Sequence, residues 1–202
     1  EIPVGAQISL IDLSDGNHTV SVIGRDTAVN WQVEAAASKV NWVVDTTAPA
    51  AAISGTPSSP TKSTGATLTI GGADMFSYKY KLDSGIYSEE ISIDIKITLT
   101  GLSASEHTVF VIGRDAAGNW QADTAPTTVS WTVDILPPTT VITGQPPSLT
   151  KNKTAILTIG GTDVVAYKYK VDNGSYSATE ILAGTPISLA NLIDGDHTVF
   201  VI

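Results

Sequence analysis

The sequence predicts an all-β chain of tandem antiparallel β-sandwiches, with about seven strands in each repeat of about 89 residues. Three observations predict it. The same words recur at a fixed spacing. Short apolar–polar alternations of strand length are separated by turn residues about every 8–12 positions. No stretch carries the 3.6-residue periodicity of a helix.

The recurrence is plainest in one phrase. HTVSVIGRDTAVNW, from His18 to Trp31, returns as HTVFVIGRDAAGNW from His107 to Trp120. A third copy, HTVFVI, begins at His197. Arg25 and Arg114, Trp42 and Trp131, and Asp45 and Asp134 are each 89 residues apart. The pair Gly71-Gly72 and the run Tyr78-Lys-Tyr-Lys81 also recur 89 residues on, at Gly160 and Tyr167. His107 to His197 is 90, so one residue is inserted between Tyr176 and Ile187, where a loop or irregular edge strand is expected. Linkers at Val44-Asp45-Thr-Thr-Ala-Pro49 and Val133-Asp134-Ile-Leu-Pro-Pro138 set the boundaries. Residues 1–45 read as the C-terminal half of a repeat, 46–134 as a complete repeat, and 135–202 as the N-terminal part of another. Glu1 lies inside the pattern, so the chain reads as a mature piece of something longer.

Within the complete repeat, Ala50–Ser54 predicts a short strand and Pro57 with Pro60 a turn. Thr67-Leu-Thr-Ile70 alternates as a half-buried strand does, and Gly71-Gly72 breaks it. In Tyr78-Lys-Tyr-Lys-Leu82 the tyrosines and the leucine share one face and the lysines the other. Asp83-Ser-Gly85 is a turn, and its counterpart Asp172-Asn-Gly174 holds the Asn-Gly hairpin signal. Ile91 to Leu99 makes one bent strand or two short ones. Leu102 to Glu106 is a corner, and His107–Gly113 is the longest apolar strand, fitting the central, penultimate place. Asp115-Ala-Ala-Gly-Asn119 is a hairpin turn with Gly118 at a left-handed position. Val129, Trp131 and Val133 then point inward from the last strand. Such a series calls for a sandwich of the immunoglobulin or fibronectin III type.

Composition excludes several functions. Net charge is −9 over 202 residues, which repels phosphate backbones and argues against nucleic acid. There is no cysteine, so disulfides, thiolate metal sites and cysteine nucleophiles are ruled out. No apolar run approaches the ~20 residues that span a bilayer. Neither a phosphate loop nor a nucleophile elbow is present, and no acid–base pair stands at a unique place, so an enzyme is not expected.

The phrases VDTTAP, GATLTIGG, YKYKLDSG, HTVFVIGRDAAGNW and SWTVD together resemble the bacterial immunoglobulin-like repeats of surface and secreted proteins. The resemblance covers essentially the whole chain. It implies tandem immunoglobulin-like domains in an extracellular or cell-surface protein, serving as stalk, spacer or filament subunit, and Ca²⁺ between domains in some relatives. The first repeat departs from the pattern at Val29, which replaces the turn glycine, so that turn is expected to differ or be strained.

His18, His107 and His197 each start the same strand after a corner, and a structural hydrogen bond across that corner is expected rather than metal or acid–base work. Trp42 and Trp131 are expected structural core residues. Asp115 and Asn119, with Asp134 in the linker, offer oxygen ligands to Ca²⁺. Calcium takes about six to eight oxygens, more than one turn supplies, so no metal set or cofactor is assigned. The tyrosines of Tyr78–Lys81 and Tyr167–Lys170 are expected in the core and their lysines in solvent. Trp31 and Trp120, just past the turn, are the candidates for a glycan or partner contact. The function expected is a non-catalytic structural repeat, a stalk or filament whose partners are neighbouring repeats or copies of itself. Half-domains at 1–45 and 135–202 would complete each other head to tail. The alternative is an adhesin or a carbohydrate-binding accessory module.

Overall fold

The computed structural model describes residues 1–202 and forms two compact units, Glu1–Ile135 and Leu136–Ile202. The repeat boundary expected at residue 45 falls inside the first unit. Apart from one 3-10 turn at Glu34–Ala36, every regular element is a strand.

The first unit opens with a hairpin of β1 (Gly16–Val22) and β2 (Ser38–Val44). The complete repeat follows: β3 (Ala52–Ser54), β4 (Ala66–Gly71), β5 (Ser77–Leu82), β6 (Ile91–Ser92), β7 (Ile97–Leu99), β8 (Glu106–Arg114) and β9 (Thr127–Thr132). These seven strands form two antiparallel sheets, ordered β3-β4-β7 and β6-β5-β8-β9. Three strands face four because β6 pairs with β5 rather than continuing the β7 sheet, the fibronectin III-type variant of the sandwich. Ile91 to Leu99 is therefore two short strands in different sheets.

Period-2 alternation decides what is buried. Leu68, Ile70, Ile97 and Leu99 from one sheet meet Tyr78, Val109, Val111 and Trp131 from the other. Tyr80, Leu82 and Val129 pack against this core from its margin. Val133 is buried with it and is carried beyond β9 by a parallel bridge to Thr61. Thr61 accepts from the Asp134 N–H at 2.8 Å and donates to Thr132 O at 2.9 Å, which closes that edge of the sandwich. Gly72, at φ +135°, is required there because a Cβ would run into the Ala50 carbonyl.

The second unit repeats the front of this plan: β10 (Thr139–Thr143), β11 (Ala155–Thr162), β12 (Ala166–Tyr167), β13 (Tyr169–Val171), β14 (Ile181–Leu182), β15 (Ile187–Leu189) and β16 (Val199–Val201). Register is retained: Ile53 opposes Ile70, and Ile142 opposes Ile159. Tyr78 opposes Ile91 and Tyr167 opposes Ile181, so the inserted residue lies between Tyr176 and Ile181, in an exposed connection. Its core is smaller, built on Leu157, Ile159, Tyr167 and Ile187.

The hairpin β1–β2 keeps the register of β8–β9: His18 opposes Trp42 as His107 opposes Trp131. Trp42 is nevertheless only half-buried and Val40 is 58% exposed, whereas Trp131 is 1% exposed. One hairpin can align two strands, but a facing sheet is needed to cover them.

Candidate functional site

Three polar or aromatic constellations recur with the repeat. At the corner, the His107 ring sits between two acceptors. Nδ1 donates to Asp83 Oδ2 at 2.9 Å and Nε2 to Ser103 O at 3.0 Å. A carboxylate and a carbonyl can only accept, so the ring bonds both only as the imidazolium. Asp83, held at φ 51° in the turn after β5, takes the Thr108 N–H on Oδ1 at 2.7 Å. The hydrogen bond to Asp83, then the one to Ser103, pushes the His107 pKa up. Burial works against ionising Asp83, but the bonds from Thr108 and His107 outweigh it and hold that carboxyl below its ordinary range. The second unit repeats the clamp. His197 Nδ1 donates to Asp172 Oδ2 at 2.8 Å, Nε2 donates to Ile193 O at 2.8 Å, and Thr198 N–H donates to Asp172 Oδ1 at 2.7 Å. His18 keeps the carbonyl bond, to Ser14 O at 2.7 Å, and stacks against Trp42 at 5.8 Å. The sequence points to a corner bond but not to the aspartate; the signal was the recurrence of Asp83 as Asp172 in the turn before each complete clamp.

At the turn after β8, Asp115 is buried. Its Oδ1 accepts from the N–H groups of Gly118 and Asn119 at 2.7 and 2.8 Å, and its Oδ2 accepts from Asn119 Nδ2 at 2.8 Å. Burial opposes ionisation, yet these bonds keep the carboxyl below its usual range. Asn119 Nδ2 also donates to Asp45 O in the linker at 3.0 Å. As placed, Asp115 commits both oxygens to N–H donors of its own turn, while Asp134 is exposed on the following linker. No group of three or more His, Asp or Glu side chains gathers in a way that could hold a metal. In the first repeat Asp26 caps Asn30 in the same manner, with Val29 at φ 72° where Gly118 has φ 105°.

The linker is gripped from the other side too. Asp15 Oδ1 accepts from Thr46 N–H at 3.2 Å and Thr46 Oγ1 at 2.7 Å, and Oδ2 accepts from Thr47 Oγ1 at 2.9 Å. Ala51 N–H donates to Gln121 Oε1 and Ala51 O accepts from Thr127 Oγ1, so the linker enters β3 pinned to the β8–β9 hairpin.

The outer face of the four-stranded sheet carries the third constellation. The lysines expected in solvent lie over aromatic rings instead. Lys79 Nζ is 5.0 Å from the Trp120 centroid, and Lys81 Nζ is 5.2 Å from Tyr87 and 4.8 Å from Phe110. Alternation gives the face but not its neighbours: Phe110 is the cross-strand partner of Lys81, and β5–β8 pairing brings them together. Trp31 is 49% exposed with Arg25 over it at 5.8 Å.

No protein-family model and no curated protein matches the chain. Among solved structures, it is similar to the central fibronectin-III array of RIM-binding protein at 18% identity and a TM-score of 0.33, over 93% of this chain and 65% of that one. It is also similar to the chitinase ChiA74 from Bacillus thuringiensis at 19% identity and a TM-score of 0.31, over 75% of this chain and 29% of that one. The chain thus spans less than two thirds of either protein's length. No helix of the chain is long and apolar enough to cross a membrane.

Proposed function

We propose that the chain is a run of non-catalytic spacer modules in an extracellular or cell-surface protein, a stalk or filament segment of tandem fibronectin III/immunoglobulin-type repeats. The observation that carries this is the linker at 45–49, held by Asp15 on one side and Asn119 on the other. A linker fixed by the repeats it joins transmits position from one to the next, which is what a spacer does. The recurring polar clusters at the corner and turn satisfy backbone donors and acceptors, the work of a scaffold rather than a reaction. Calcium is assigned no part in it.

The half-covered faces of β1–β2 and of the second unit favour completion by further repeat halves, from flanking chain or from a second copy. Light scattering of the 202-residue chain across a concentration series tests the second source. Growth into head-to-tail oligomers supports complementation between copies, and a constant monomer mass refutes it. Single-molecule stretching tests the spacer reading itself. Repeats that yield one after another at comparable forces support it, and a chain that extends without resistance overturns it. The alternative reading, a carbohydrate-binding or adhesive module, is favoured by the aromatic outer face.

A further inference from the structure

We propose that the outer face of the β6-β5-β8-β9 sheet binds a carboxylated polysaccharide, and that the matching face of β13 and β16 is a second such site. The proposal goes beyond the spacer reading and stands or falls separately from it. Its basis is a triad built twice. Lys81 lies between Tyr87 and Phe110; Lys170 lies between Tyr176 at 5.5 Å and Phe200 at 4.7 Å. Strand register places both, with Lys81 opposite Phe110 and Lys170 opposite Phe200. Lys79 over Trp120 extends the row in the complete repeat, and Ile112, opposite Lys79 on this face, is buried outside the sandwich core.

The charges decide the class of ligand. Lys79, Lys81 and Lys170 form no ion pair with a carboxylate. Three of the five Lys and Arg side chains of residues 46–134, Lys79, Lys81 and Arg114, lie on this face of a chain with net charge −9. Of the acidic groups near it, Glu90 is bonded by Arg114 at 3.1 Å and by Ser77 and also bears on Lys79, and Asp123 bears on Tyr87. A neutral sugar would stack on these rings but leave the ammonium groups of Lys81 and Lys170 without a counter-charge. A uronate residue fits both, its C–H face on a ring and its carboxylate on the lysine that already lies over that ring. A nucleic acid is disfavoured because its denser backbone charge meets the repulsion of the whole acidic chain.

Affinity electrophoresis of the 202-residue chain tests this, in native gels holding polygalacturonate, hydroxyethylcellulose or double-stranded DNA. The expected result is retardation by polygalacturonate alone, weakening as salt is raised. Lys81→Gln with Lys170→Gln lowers the apparent affinity about tenfold, a factor that ordinary binding arithmetic makes easy to resolve. Phe110→Ser, which installs the residue found at Ser21 in the first repeat, does the same, while Lys81→Arg retains binding. A urea midpoint on each variant separates lost binding from lost fold. No retardation in polygalacturonate, equal retardation in hydroxyethylcellulose or DNA, or a double variant that binds unchanged would each overturn the proposal.

Discussion

Replacing Asp83 by Asn tests the corner clamp most directly. The substitution keeps size and retains an oxygen for the Thr108 N–H, but it removes the charge that His107 faces. The amide presents an N–H to Nδ1, so the ring turns neutral, accepts that N–H on Nδ1 and keeps its Nε2–H bond to Ser103 O; what is lost is the charge in the Nδ1 contact. A hydrogen bond to a charged group contributes about 1.5–3 kcal/mol. Here the Asp83 side chain is 41% exposed, so water screens the pair and the low end applies, about 1–1.5 kcal/mol. The pH dependence has a definite sign. The His107 pKa is raised on folding, so its contribution is complete below 6.5 and is lost as pH rises through the folded value. The Asp83 pKa is lowered, so its contribution is complete above 3.8 and is lost as pH falls through the folded value. The pair therefore stabilises the repeat fully between about pH 4 and 6.5. Urea denaturation of the wild-type chain and the Asp83→Asn variant, at pH 5.5 and pH 9, reads the difference. The gap between them is expected to narrow at the higher pH. An equal gap at both would mean that the ring is not an imidazolium, and the two-acceptor reasoning would fail.

Four further outcomes follow from the geometry. Gly118→Val forces a β-branched residue to φ near 105° and is expected to cost about 1–3 kcal/mol, while Val29→Gly relieves strain at φ 72° and raises the urea midpoint. Trp131→Ala is expected to cost about 3–5 kcal/mol. Trp131→Phe costs far less, since the indole Nε1–H is buried without a partner and its loss removes no bond; equal costs would mean that the indole is bonded. Asp15→Ala frees the Thr46–Thr47 side of the linker. Spin labels at Ser21→Cys and Thr128→Cys, in a chain without native cysteine, should then give a broader distance distribution, and an unchanged one refutes the brace. Added calcium and EDTA are expected to leave the melting temperature unchanged, because Asp115 already bonds three N–H donors; a rise with calcium would mean that the turn opens to take the ion.

What the sequence made legible was whatever period and spacing encode. The 89-residue recurrence predicts that equivalent strands pair in equivalent register, and His18–Trp42 and His107–Trp131 do so. Alternation in Tyr78–Leu82 predicts which side of β5 enters the core, and Tyr78 is fully buried. The placement of β6 was not legible. Two residues, Ile91 and Ser92, decide between sheets by hydrogen bonding across to β5, and no local pattern of that length carries a preference.

The clamp and the outer face were hidden for a related reason. Each depends on residues far apart in sequence whose types look ordinary where they stand. Asp83 reads as a turn aspartate until the register puts His107 and Thr108 beside it, 24 and 25 residues on. Lys81 reads as a solvated lysine until Phe110 arrives opposite it. Asn119 shows the same thing within a single side chain. Its Nδ2 closes its own turn on Asp115 and reaches back 74 residues to Asp45 O. In the first repeat, Asn30 makes the bond to Asp26 that mirrors the local one. The motif therefore encodes the turn, and the preceding linker gives the same asparagine its second bond. A repeat sequence can thus preserve every local word and still differ from copy to copy in what its neighbours make of it.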